Sequence, residues 1–151
     1  MLHSPAEICR QLLIDLKLCA DPDVSNGNDW PVYTGQEPDG IGITDECVTV
    51  YDATWRADGR DMGAGETYWH YGVQIRLRAR LQPAGWLKAR AIQVALDQNV
   101  DMAKVIVNAG GPAAYIIQAV TGTAVMYIGQ DVPKTKRHIH TMNPLLAIRD
   151  A

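Results

Sequence analysis

Tyr71-Gly72-Val73-Gln74-Ile75-Arg76-Leu77-Arg78-Ala79-Arg80-Leu81 alternates apolar and polar residues without a slip. Successive side chains of a strand point to opposite faces, so Tyr71, Val73, Ile75, Leu77, Ala79 and Leu81 define a core face. Gly72, Gln74, Arg76, Arg78 and Arg80 define an opposite face that is strongly basic. Working outward, Cys47 to Tyr51 shows the β-branched alternation of a half-buried strand, and Trp30 to Tyr33 is a short extended piece. Downstream, Pro83 opens a helix running from Ala84 to about Gln98, with Leu87, Ala91, Val94 and Ala95, supplemented by Trp86 and Ile92, as its apolar face. Lys104 to Ala109 and Ala113 to Val120 are strand-like and flank the turn cluster Gly110-Gly111-Pro112; Thr123 to Ile128 and Arg137 to Ile148 follow as further strands.

At the other end, Ser4-Pro5-Ala6-Glu7 is a helix start. Ser4 can accept from free helical N–H groups, Pro5 suits the first helical position, and Glu7 closes a capping box. Ile8, Leu12, Leu13 and Leu16 then recur at helical spacing, with an end expected near Leu18. Residues 20–29, 35–45 and 54–67 are polar or rich in glycine and proline, and read as loops. The order is helix, β-hairpin, strand, helix, β-meander. It predicts an α+β fold: one mostly antiparallel or mixed sheet with two helices packed on one face. At 151 residues, the chain reads as a single domain, 1–151.

Composition narrows the function classes. With 47% apolar and 21% charged residues the chain lies far from the disordered regime, and a chain of this size buries roughly 68–70% of its unfolded surface without needing metal or disulfide staples. A net charge of −3 argues against a protein whose affinity comes from neutralising many phosphates. Cys9, Cys19 and Cys47 are odd in number and lack C-x-x-C spacing, so neither a disulfide framework nor a zinc ribbon is expected. Phenylalanine is absent, and its bulk is supplied by aliphatics, four Trp and six Tyr, amphipathic aromatics that suit half-wet contacts. No signal peptide or membrane-spanning stretch is expected.

Three guanidiniums within about 14 Å of one strand face repel unless something opposes them. Asp52, or the loop acids Asp58, Asp61 and Glu66, can pair with them; a neighbouring subunit can do so equally well, since interfaces favour Arg over Lys. A nucleic-acid groove ranks behind both, for want of interleaved aromatics. His138 and His140 fall on one side of a strand, but no further ligand completes a metal set, and a partly exposed pair beside Lys134, Lys136 and Arg137 is expected. His70, beside Tyr68 and Trp69, reads as packed and hydrogen-bonded rather than catalytic. Gly59 to Gly65 lacks the Lys-Ser/Thr and the following helix of a phosphate cradle. No nucleophile motif appears, so neither enzyme activity, cofactor nor metal is expected.

Several of these pieces occur in a telling order: Trp30-Pro31-Val32-Tyr33-Thr34-Gly35, Val48-Thr49-Val50-Tyr51-Asp52, Gly59-Arg60-Asp61-Met62, His70-Tyr71-Gly72-Val73-Gln74-Ile75-Arg76-Leu77-Arg78, and Lys88-Ala89. In this order and spacing the chain resembles the tailed-phage minor capsid protein family, whose members are similar to the tail terminator (tail completion) proteins of siphophages. The resemblance spans nearly the whole chain, and Tyr71 departs from it where many relatives carry proline. It implies a small α+β virion protein, assembled in the host cytoplasm, that forms a hexameric ring on the head-proximal end of the tail tube. Such a ring stops tube polymerisation, meets the major tail tube protein and the head-neck connector or stopper protein, and lets DNA pass through its lumen without specific binding. No membrane is involved. Within that picture Arg76, Arg78 and Arg80, with Asp58, Asp61, Met62 and Glu66, are the expected subunit-interface residues, and the 54–67 segment is expected to order on the tube or neck. A head-side neck adaptor or stopper, or a small nucleic-acid-binding module using the arginine face, are the alternatives.

Overall fold

The structure, a computed structural model, describes residues 1–24, 29–38, 45–57, 69–131 and 136–151, and of residues 55–57 the backbone only. Two helices, α1 (Pro5–Asp15) and α2 (Gln82–Asn99), accompany eight strands: β1 (Val32–Thr34), β2 (Cys47–Ala57), β3 (Trp69–Ala79), β4 (Ala103–Val107), β5 (Ala113–Thr121), β6 (Met126–Gln130), β7 (His138–Met142) and β8 (Leu145–Asp150). The fold is α+β, built on one mixed, curled sheet of half-barrel form. Strand order is β1-β2-β3-β8-β5-β4, with β7 alongside β3 and β6 alongside β7.

The alternating strand is the sheet's template. Its inward residues Val73, Ile75 and Leu77 are fully buried and pair with Val50 and Val48 on β2 and with Met142 on β7. β2 and β3 form a long antiparallel ribbon in which Gly72 sits beside a register shift between Asp52 and Trp55. A Cβ at Gly72 would run into the Thr54 carbonyl, so the irregularity requires glycine there.

Four expectations are corrected. Trp30 to Tyr33 and Cys47 to Tyr51 are not a hairpin: β1 runs parallel to β2, Val32 opposite Val48. Parallel neighbours need a crossover of about a dozen residues, and the 35–46 segment provides that length. The 54–67 segment is not wholly loop, since β2 continues through Ala57; its remainder, 58–67, lies outside the described residues. The C-terminal strands are not a simple meander either. β5 and β6 continue one another past Gly122 (φ 74°), β7 and β8 continue one another past Asn143-Pro144, and the two composite strands pair along their length. β3 templates both halves of the second, residues 75–79 pairing with β7 and 69–72 with β8, while the Val73 N–H donates to the Pro144 carbonyl at the break.

The fourth correction concerns the face that α2 buries. Gly85, Ala89, Ile92, Ala95 and Leu96 are buried, whereas Leu87 is 69% exposed and Trp86 44%. The helix is turned by roughly a third of a turn from the expected stripe, at 100° per residue. Close approach is the reason: a Cβ on Gly85 would stand 2.7 Å from His140 Nδ1 and 2.9 Å from the Ala79 Cβ. The small residues let the helix descend onto the sheet, and the large apolar ones on the neighbouring stripe are left outside.

α1 begins as expected. Ser4 Oγ accepts from the Glu7 N–H, and Glu7 Oε2 accepts from the Ser4 N–H at 2.7 Å, with Pro5 in the first turn. The helix ends at Asp15, three residues earlier than expected, with Leu16 as its C-cap. Ile8, Cys9, Leu12 and Leu13 join Val48, Ile75, Ile92, Leu96, Tyr115, Ile117 and Leu146 in one buried cluster.

Candidate interaction surface

The arginine face is largely answered within the chain. Arg76 forms an ion pair with Glu37 (3.7 Å) and lies between Thr49 of β2 and Thr141 of β7, both buried. Arg78 is 7% exposed and stands opposite Cys47, whose thiol is pushed up to about 11 by burial against the pull of the Arg78 guanidinium. Arg80, just past the strand end, is exposed. Arg137 pairs with Asp45 at 2.5 Å. Glu37 and Asp45 lie in the β1–β2 connection, and sequence reasoning named neither as a partner; the parallel β1–β2 pairing carries Glu37 to Arg76 on the stripe, while Asp45 meets Arg137 ahead of β7.

Asp52, the expected partner, faces the other way. It lies opposite Val73 on the inward side, and its Oδ1 accepts from the Ala6 N–H at 2.8 Å. A carboxylate at a helix N-terminus satisfies an orphan donor and opposes the positive end of the helix dipole. Asp58, Asp61, Met62 and Glu66 lie outside the described residues, as does the Gly59–Gly65 segment.

The histidines occupy different environments. His70 is half-buried on β3, opposite Ala147 of β8. His138 and His140 do share one side of β7, opposite Ala79 and Leu77. His138 is half-buried, and its Nδ1 meets Tyr127 Oη at 2.9 Å. His140 is fully buried rather than part of an exposed pair, because α2 and the Tyr127 and Trp86 rings close over it. Burial, and then the neighbouring His138, lower its pKa from the ordinary 6.5. Among the described residues no group of three or more His, Cys, Asp or Glu side chains is placed to hold a metal. None of their helices is long and apolar enough to cross a membrane.

His3 went unnoticed in the sequence as a structural residue. Its Nε2 meets the Ala109 carbonyl at 2.6 Å, which requires the proton on Nε2, so Nδ1 accepts from Tyr115 Oη at 2.8 Å. The same phenol oxygen accepts from the N–H groups of Leu2 and His3. This clasp ties the segment before α1 to β5, a contact 112 residues apart in the chain that no local pattern announces.

Part of the exposed apolar surface gathers at one place. A depression lined by Gln82, Pro83, Trp86, Leu87 and Tyr127 joins the first turns of α2 to β6. Leu81 precedes this lining in the chain, and Met126 and Ile128 neighbour Tyr127 along β6, all three of them exposed; Met126, opposite Thr141, points to the other face of the sheet. β6 pairs with β7 on one side and, among the described residues, with no strand on the other. Nothing along Met126–Gln130 is charged or proline, the devices that normally blunt a free edge. This surface offers apolar side chains and strand backbone that no described strand pairs, the materials of protein association.

No protein-family model matches the chain, and none of the curated proteins compared with it matches its sequence.

Proposed function

We propose that the chain is a structural virion protein of a tailed bacteriophage: a homo-oligomeric ring, hexameric by the family resemblance, at the head-proximal end of the tail tube. It ends tube polymerisation there and joins tail to head. The observation that carries the reading is the exposed cluster on α2 and β6. Trp86, Leu87 and Tyr127 are large, exposed and grouped beside a strand edge that no described strand covers, with Met126 and Ile128 exposed along that edge; burying a fully exposed aliphatic side chain contributes roughly 1.5–3 kcal/mol, and these partly covered ones contribute less. The committed occupant is a second copy of this chain. In a closed ring that contact is heterologous, one patch meeting a different patch on the neighbour, and it is repeated at every interface.

The reading takes both helices to pack on the concave side of the sheet. Support comes from the inward Asp52 carboxylate on α1, from Gly85 of α2 against the inward His140, and from the single buried cluster they share. Arg80, exposed beside Leu81, remains a candidate contact at the rim of the cluster. Arg76, paired with Glu37, and Arg78, buried, are less available to phosphates, which favours a ring over a nucleic-acid module on that face.

The test has two arms. Sedimentation or native mass spectrometry of the purified protein, alone and with tail-tube protein of the same virion, is expected to show a closed oligomer that Leu87→Glu or Ile128→Lys disperses while each variant stays folded by circular dichroism. Adding the wild type to polymerising tube protein is expected to cap tube length. Oligomers untouched by both variants would refute the surface. Tubes that lengthen unchecked, with the protein bound only to head connectors, would assign the ring to the head side.

A further inference from the structure

His140 combines two properties that seldom coexist. The residue is fully buried, and neither Nδ1 nor Nε2 has a hydrogen-bond partner among the described residues. A neutral imidazole still carries one N–H donor, and the imidazolium carries two. What surrounds the ring is apolar or aromatic. From β3 come Leu77, directly opposite, and Ala79; from α2, Gly85 and the Trp86 ring, centroid 6.3 Å away; from β6, the Tyr127 ring at 5.1 Å. The titratable groups facing it are His138, on its own strand, and the Tyr127 phenol, which is already engaged with His138 Nδ1. No carboxylate among the described residues pairs with it. A proton on this ring therefore meets no counter-charge and no acceptor among the described residues, while the neighbouring His138 disfavours it further. Cation–π attraction to the flanking rings supplies no acceptor for either N–H.

We propose that His140 is a proton-operated latch between α2 and the β6–β7 pair. Neutral, it lets the Gly85 turn seat against the sheet; protonated, it must reach water, and the first turns of α2 part from β6 to admit it. That movement alters the surface formed by Trp86, Leu87 and Tyr127, so acid changes what the surface presents. The latch is a property of the single subunit and stands whether or not the chain forms a ring.

The direction follows from linkage. The folded-state pKa of His140 is depressed below 6.5, so the closed state holds its full advantage above about pH 6.5. As pH falls below that value the open form takes up a proton that the closed form refuses, and opening grows by about tenfold per pH unit until the folded-state pKa is passed.

Hydrogen exchange resolved by peptide, expressed as protection factors between pH 7.5 and 5.0, tests the latch. The wild type is expected to lose protection progressively below about pH 6.5 in residues 82–90 and 126–130, with β2 and β3 little changed. His140→Leu should keep its protection across the range, and His138→Gln, which removes the neighbouring repulsion, should show a smaller loss confined nearer pH 6.5. Unchanged protection in the wild type, an equal loss throughout the sheet, or the same pH response in His140→Leu would each overturn the proposal. Should His140→Leu fail to fold, the wild type decides by NMR. A His140 ring resonance titrating in step with the amides of residues 84–88 supports the latch, and titration with those amides unmoved refutes it.

Discussion

Gly85→Ala sets two known effects against one another at a single atom. At an ordinary helical site the added methyl stabilises by about 0.8–1 kcal/mol, because glycine is the poorer helix former. Here the methyl would lie 2.7 and 2.8 Å from His140 Nδ1 and Cε1 and 2.9 Å from the Ala79 Cβ, all closer than side-chain carbons approach one another. His140 is held by the Trp86 and Tyr127 rings, and the Ala79 methyl has no rotamer to change, so relief requires the helix to lift. Overpacking of that kind costs about 1–3 kcal/mol, which leaves a net loss of up to about 2 kcal/mol. For a chain of this length that corresponds to a Tm lower by about 2–4 °C per kcal/mol. Urea unfolding at pH 7.5, with a constant m-value, reads the difference directly. Ala91→Gly, on the exposed side of the same helix, provides the propensity scale, with an expected loss of about 0.5–1 kcal/mol. Combining Gly85→Ala with His140→Ala should restore part of the deficit, since two of the three close contacts disappear. If Gly85→Ala instead raised stability by about 1 kcal/mol, as at a solvated site, the close seating of α2 on the sheet would be refuted.

Other expectations follow from single contacts. Ser4→Ala removes the capping hydroxyl of α1 and should cost about 1 kcal/mol in urea unfolding; a loss below about 0.5 kcal/mol would mean that Asp52 and Glu7 already suffice. Tyr115→Phe leaves His3 Nδ1 and the Leu2 and His3 N–H groups without their partner, an expected loss of about 1–3 kcal/mol with faster amide exchange at residues 2 and 3; unchanged exchange would show the clasp to be idle. Cys9 and Cys19 are pushed by burial to about 12, and Cys47 to about 11, so at pH 8 thiolate is present at about one part in a thousand or less. Native protein should resist alkylation for hours and urea should release all three thiols; rapid labelling of Cys47 in the native state would contradict its packing against Arg78.

The periodic signals lay in the sequence and survived folding. The alternation from Tyr71 to Ala79 set the inward face of β3, and Ser4-Pro5-Ala6-Glu7 set the start of α1, since both depend on side chains a few residues apart. The α+β class and the Gly110-Gly111 turn between β4 and β5 were legible for the same reason. Leu81, counted with the core by alternation, is 63% exposed because the strand ends before it and it caps α2 instead. The charge partners of the arginine stripe could not be read locally, because Glu37 reaches Arg76 through a parallel β1–β2 pairing that sequence spacing does not distinguish from a hairpin.

By itself the sequence determined which residues could share a face: a dry side and a basic side of one strand, a capped amphipathic helix, a set of apolar strands after the second helix. Only the tertiary structure decided which faces would be used. Hydrophobicity placed Leu87 and Trp86 inside, but the sheet admits a helix more closely through glycine and alanine, so packing chose the stripe of Gly85, Ala89 and Ile92 and turned the larger side chains outward. The same seating buried His140, which has no hydrogen-bond partner among the described residues, near a β6 edge that no described strand covers. Periodicity reports what a residue prefers; the shape of the opposing surface determines which preferences are met, and here Leu87 and Trp86 are the ones left unmet.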